Sequence, residues 1–84
     1  MTIVAGDIIK YTDDPTDSAM YYFKNEVSIV RVDFLDEDDC VWVLAKENSI
    51  KNKRHFHQNL LCLGHKDDAV FSTATTEEKL TVIN

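Results

Sequence analysis

Two apolar runs rich in β-branched residues flank an unbroken acidic segment at 27–45, and this pattern constrains the fold more than any other. The acidic segment consists of Asp36, Glu37, Asp38 and Asp39. Valine, isoleucine, phenylalanine and tryptophan predominate on either side of it, and such residues favour strands. The segment therefore predicts a β-hairpin, and it makes the chain a β protein.

The register of this hairpin follows from the length of its loop. A four-residue loop at 36–39 makes the residue numbers of every cross-strand pair add to about 75. The residues predicted to share the buried face are Val30, Val32, Phe34, Val41 and Val43. Trp42 is placed on the opposite face with Arg31 and Asp33. A one-residue bulge in the turn would instead exchange the faces and bury Trp42.

The remaining segments before residue 65 predict short strands and polar loops. A first strand is expected at 6–11, a loop at 12–15, and a loop with one turn of helix at 16–23. A polar loop rich in lysine and asparagine at 46–54 precedes two short strands joined by a tight turn at 58–60. Together these segments continue the all-β pattern of the central hairpin.

The tail predicts a second hairpin. With a loop at 75–78, Phe71 lies opposite Val82, and this hairpin could cover Trp42. A competing interpretation takes Thr75 as a helix N-cap with Glu78 as its capping-box partner. Only six residues follow Glu78, which is too few for a stable isolated helix, so the hairpin is preferred.

The order of these segments resembles that of a known fold family. Gly-Asp-Ile-Ile-Lys-Tyr at 6–11, the long strand, the acidic turn, the apolar strand and Asn-Leu-Leu-Cys-Leu-Gly at 59–64 resemble the SH3-like small barrels, including KOW-type modules. The resemblance implies an all-β, SH3-like barrel of about five strands at 6–64, with a C-terminal β-hairpin at 69–83, in a single domain at 1–84. KOW modules carry further glycines around their second strand, where this chain has Asn25 and Glu26, so nucleic-acid or ribosome binding is not implied.

Charge and composition narrow the functional classes. The net charge is −6, and it is uneven, because residues 1–42 carry ten acids and three bases while residues 43–84 carry five acids and six bases. There is no apolar run of membrane-spanning length and no signal-peptide pattern, so a cytoplasmic protein without membrane contact is expected. Cys40 and Cys62 lie in apolar sequence and are expected to be buried, reduced thiols.

The sequence contains no motif typical of catalysis or cofactor binding, so a non-enzymatic protein without a cofactor is expected. The candidate ligands of a zinc site are His55, His57, Cys62 and His65. Its spacing matches no common zinc motif, and no metal is expected.

The acidic half of the chain and its aromatic residues favour protein binding. Aromatic residues commonly anchor interfaces, and a field of carboxylates attracts basic surfaces. The predicted partner-binding residues are Trp42, Asp33, Asp36, Glu37, Asp38, Asp39, Tyr21 and Tyr22. We expect a small acidic regulator or inhibitor that occupies a basic surface of a protein partner.

Two alternatives involve nucleic acid. The basic segment 46–57 could bind nucleic acid, with cations for phosphates and Phe56 for base stacking. Its candidate residues are Lys51, Lys53, Arg54, His55 and His57. Alternatively, the acidic face could mimic a nucleic-acid backbone and inhibit a protein that binds DNA or RNA. The net charge of −6 makes direct nucleic-acid binding the weaker prediction.

Overall fold

The computed structural model describes residues 1–12, 27–44 and 60–82. Their elements in chain order are β1 (Ile8–Thr12), β2 (Val27–Leu35), β3 (Cys40–Leu44), β4 (Leu60–His65), β5 (Phe71–Thr73) and α1 (Thr76–Leu80). The five strands form one antiparallel sheet in the order β4-β3-β2-β1-β5. The predicted β fold, first strand and central hairpin are confirmed.

The sheet is strongly curved, because its two edge strands are joined by only the five residues 66–70. These residues form two consecutive turns, in which Asp68 N donates to His65 O (2.9 Å) and Phe71 N donates to Asp68 O (3.2 Å). Each turn spans less than about 7 Å, so the edges approach within ~14 Å at this point. A flat sheet of five strands would separate its edges by ~19 Å. The edges nevertheless do not pair within the described residues, so the sheet is open and the SH3-like barrel is not confirmed.

The concave packing face carries the hydrophobic core. Val41 and Leu63 have no exposed surface, and Val32 and Val43 are each 1% exposed. The other buried apolar residues are Ile3, Ile9, Tyr11, Val30, Phe71 and Ala74. Removing an aliphatic side chain of this kind from water contributes ~1.5–3 kcal/mol to folding, so this face supplies most of the apolar stabilisation that the described residues provide.

The predicted hairpin register is right at its open end and wrong near the turn. Val32 lies opposite Val43, as predicted, but Phe34 lies opposite Trp42 and Leu35 opposite Val41. A bulge between Val32 and Phe34 shifts the register by one residue. As a result Phe34 is 37% exposed, so its predicted burial is wrong, whereas the burial predicted for the four valines is confirmed. Trp42 stays off the core face despite the bulge.

The predicted C-terminal hairpin is wrong. β5 pairs with β1, with Phe71 opposite Tyr11, and the chain then forms α1. Thr75 and Glu78 form the capping box: Glu78 N donates to Thr75 Oγ1 (3.1 Å), and Thr75 N donates to Glu78 Oε1 (2.9 Å). The argument from length applies to an isolated helix, and α1 is not isolated, because Lys10 Nζ on β1 lies 3.0 Å from Glu78 Oε2.

Candidate interaction surface

The acidic turn is an ordered structure built around Asp36. Asp36 Oδ1 accepts hydrogen bonds from the backbone N–H groups of Asp38 (2.9 Å) and Cys40 (3.0 Å). Asp36 N donates to Cys40 O (3.1 Å), and Asp39 N donates to Asp36 O (3.0 Å). Asp39 adopts the left-handed conformation (φ 60°), which aspartate tolerates better than most residues. The turn therefore has a defined geometry.

The same carboxylate holds the tryptophan. Asp36 Oδ2 accepts a 2.8 Å hydrogen bond from Trp42 Nε1. This bond contributes most to lowering the pKa of Asp36, the N–H of Cys40 contributes next and that of Asp38 least, while desolvation acts in the opposite direction. Asp36 is thus ionised at neutral pH, and both of its oxygens have fixed donors.

A stacked aromatic pair lies on the convex face of the sheet, opposite the core. The ring centroids of Phe34 and Trp42 are 5.7 Å apart, and their planes differ by 6°. This separation is typical of offset stacking. Leu44, two residues beyond Trp42 on β3, is 57% exposed. We call Phe34, Trp42 and Leu44 the outer patch; it is an apolar surface with a rigid centre.

Carboxylates border the outer patch. Asp33, Glu37 and Asp38 are exposed, and among the described residues no basic side chain lies within salt-bridge distance of them. Asp39 differs, because Lys66 Nζ lies 3.7 Å from its Oδ2 and Lys66 N donates to its carbonyl oxygen (2.9 Å). We call Asp33, Glu37 and Asp38 the acidic rim, and its charge is available to a partner.

The structure brings most of the predicted partner-binding residues together. Trp42 and all five predicted acids lie in or beside the central hairpin. Tyr21 and Tyr22 lie outside the described residues, as do the residues of the alternative nucleic-acid site, Lys51, Lys53, Arg54, His55 and His57. Sequence reasoning missed Phe34 because it assumed an unbroken alternation of faces. Of the two alternatives for Trp42, cover by the tail through Phe71 is not found, because Phe71 belongs to the core on the other face.

The two cysteines are not both buried as predicted, because Cys62 is exposed and Cys40 is half-buried. Within 1–12, 27–44 and 60–82, no group of three or more histidine, cysteine or acidic side chains is arranged to hold a metal ion. His55 and His57, two of the candidate zinc ligands, lie outside these ranges. No helix in the same ranges is long and apolar enough to span a bilayer.

No family model, curated protein or solved structure matches the chain. The outer patch and the acidic rim must accordingly be interpreted from their own geometry and charge.

Proposed function

We propose that the chain is a non-enzymatic binding module that docks a protein partner with a basic surface on the outer patch. The observation that carries this proposal is the stacked Phe34–Trp42 pair on the face of the sheet opposite the core. Large aromatic side chains are the usual anchors of protein interfaces. Phe34 is exposed and Trp42 is half-buried, and both lie outside the core, so the pair supports an interface more than the core of its own domain.

The fixed position of Trp42 favours binding. Its ring is held on one side by Phe34 and at its N–H by Asp36. Ordering flexible side chains at an interface costs affinity, and a ring already held in place avoids much of that cost. The patch is therefore preorganised for contact.

The charge of the acidic rim favours a basic partner. Asp33, Glu37 and Asp38 lie beside an apolar centre and would attract lysine or arginine side chains. Arginine suits such a surface especially well, because its guanidinium group both pairs with carboxylates and stacks on aromatic rings. A small acidic module of this kind would act as a regulator or inhibitor by covering the basic surface of its target.

The finer fold assignment, an SH3-like small barrel, forms part of the same proposal. Its support is the curvature that the short 66–70 connection requires of the five-stranded sheet. That fold serves many unrelated partners, so the function is argued from the outer patch and not from the fold.

Site-directed crosslinking tests the docking surface. A benzophenone amino acid replaces Leu44 in the outer patch, and in a matched control it replaces Leu80 on α1, which is 62% exposed. We expect irradiation in host lysate to link position 44, but not position 80, to a protein with a basic surface. Equal crosslinking at both positions would contradict the proposal.

Affinity measurements with the identified partner then test the chemistry. Trp42→Ala and Phe34→Ala should each weaken binding by tenfold or more, an effect on the order of 1.4 kcal/mol or larger. Neutralising the acidic rim should chiefly slow association at low salt. Wild-type affinity in both aromatic variants would refute the assignment. Retention of the chain on heparin that weakens with salt would instead support nucleic-acid binding through 46–57.

A further inference from the structure

The stacked pair of the outer patch leaves one of its rings accessible. Phe34 faces Trp42 with one side of its ring and is 37% exposed, whereas Trp42 is half-buried. Phe34 is therefore the more accessible ring, and it offers an aromatic surface on which a further planar group can stack. The hydrogen bond from Trp42 Nε1 to Asp36 Oδ2 (2.8 Å) fixes the other ring, so the stack is in place before a partner binds.

Carboxylates of the acidic rim lie on both sides of Phe34 along the chain. Asp33 immediately precedes Phe34 on β2, and Glu37 and Asp38 lie in the turn that connects β2 to β3. Fixed, stacked rings beside free anionic groups are what a single-stranded nucleic acid presents, because its stacked bases lie beside phosphates. The stack therefore distinguishes this surface from an ordinary acidic patch.

The shape of the surface argues against two other basic or apolar occupants. The outer patch lies on the convex face of the curved sheet, where the described residues form no groove that could hold an extended basic peptide. A second copy of the chain would bring two convex, acidic surfaces together, each belonging to a protein of net charge −6. The complementary partner is therefore concave, basic and able to stack on an aromatic ring. Grooves that bind single-stranded nucleic acid combine these three properties.

We propose that the partner is a protein that binds single-stranded nucleic acid, and that the outer patch occupies its binding groove in place of the nucleic acid. This inference rests on the proposed function and names the class of partner. Lysine and arginine side chains of the groove pair with Asp33, Glu37 and Asp38 instead of with phosphates, and an aromatic or arginine side chain stacks on Phe34 instead of on a base. The chain then acts as a competitive inhibitor of nucleic-acid binding.

Competition in the crosslinking experiment tests the class of partner. The chain with a benzophenone amino acid in place of Leu44 is irradiated in host lysate, which a nuclease has cleared of nucleic acid and in which the nuclease is then inhibited. Random-sequence single-stranded DNA or RNA should abolish the adduct at a concentration about tenfold or more below that required of the matching duplexes, because only unpaired bases can stack in the groove. Polyglutamate at the same concentration of negative charge should leave most of the adduct intact.

The proposed function and the class of partner fail in different ways. Absence of an adduct at position 44 would contradict the docking surface itself, and with it the class of partner. An adduct that single strands do not displace, or that duplexes or polyglutamate displace equally well, would overturn only the class of partner. An adduct with a protein that does not itself bind single-stranded nucleic acid would also overturn only the class of partner.

The purified partner then separates the contributions of ring and charge. Release of a fluorescent single-stranded oligonucleotide from the partner is followed by anisotropy as the chain is added. Phe34→Ala should raise the concentration needed for half release about tenfold or more, because it removes the stacking surface. Asp38→Asn should raise it severalfold at low salt, whereas Glu77→Gln, which removes the same charge from α1, should leave it unchanged. Wild-type potency of Phe34→Ala, or equal effects of the two charge variants, would overturn the proposal.

Discussion

Trp42 Nε1 donates a 2.8 Å hydrogen bond to Asp36 Oδ2, so the residue that shapes the acidic turn also positions the aromatic ring. The other oxygen of Asp36 accepts from two backbone N–H groups of the turn. Asp36 therefore has a structural role that the exposed acids Glu37 and Asp38 do not share. Removing charge at these positions should have different consequences.

Asp36→Asn should free Trp42 without removing the rest of the turn. An asparagine oxygen can still accept from the backbone N–H groups, but its NH₂ group would then face the indole N–H, and two donors cannot bond. We expect red-shifted emission, easier quenching of Trp42 and a lower melting temperature. Asp38→Asn makes the same charge change at an exposed position and serves as the control. Identical spectra for the two variants would contradict the role of Asp36.

Stability should decrease in acid because the pKa values of Asp36 and Glu78 are lowered from their ordinary values of 3.8 and 4.5. The indole N–H dominates the shift at Asp36, and the N–H of Thr75 dominates that at Glu78. A carboxyl whose pKa is lower in the folded state stabilises the fold above its unfolded pKa, and this contribution disappears as pH falls through the folded value.

Urea unfolding at low salt from pH 6 to pH 2 measures this effect. The midpoint of the wild type should fall across the acid range. The double variant Asp36→Asn, Glu78→Gln should start lower at neutral pH and lose less stability on acidification. Parallel curves for the two proteins would show that these carboxyls do not contribute to acid sensitivity.

Leu63 and Leu44 offer a matched pair for the two faces of the sheet. Leu63 is fully buried, whereas Leu44 on the neighbouring strand is 57% exposed. Leu63→Ala should leave a cavity in the core and cost ~2–5 kcal/mol of unfolding free energy. Leu44→Ala should change it by less than about 0.5 kcal/mol. Denaturant titrations of both variants check this, and equal losses would place Leu44 in a core.

The central hairpin could be predicted because its signals are local. Alternating valines on both sides of an acidic turn specify two strands and their buried face, and Val32 does pair with Val43. The bulge beside Asp33 has no comparable signal, since a strict period of two is the default for a strand. The sequence therefore placed Trp42 on the right face but missed its partner Phe34.

The C-terminal segment, unlike the central hairpin, could not be predicted from local signals. The capping-box residues Thr75 and Glu78 were recognisable in the sequence. However, the few residues that follow Glu78 could form only a helix too short to be stable in isolation. A tertiary contact to the helix comes from Lys10, 68 positions away from Glu78 in the chain. Local propensity could not supply that contact, so the helix could be identified only from the tertiary structure.

The capping box of α1 can be tested by a neighbouring pair of threonines. Thr75→Ala removes the oxygen that accepts from Glu78 N, and loss of an N-cap threonine typically costs ~1 kcal/mol. Thr76→Ala, at the exposed first position of the helix, retains the cap and should be nearly neutral. Thermal melts of the two variants measure the difference. Equal melting temperatures would show that the cap does not stabilise the domain.

The stacked pair itself can be measured by a double-mutant cycle. Phe34→Leu and Trp42→Leu are made singly and together, and the free energy of unfolding is measured for each protein. The stack should give a coupling energy of about 0.5–1.5 kcal/mol, because each ring loses its partner in either single variant. Phe34→Leu combined with Leu80→Ala is the control, since Leu80 lies on α1 outside the outer patch; these effects should add within about 0.5 kcal/mol. A coupling near zero for the aromatic pair would mean that the two rings are held independently, and the preorganisation argued for the outer patch would lose its basis.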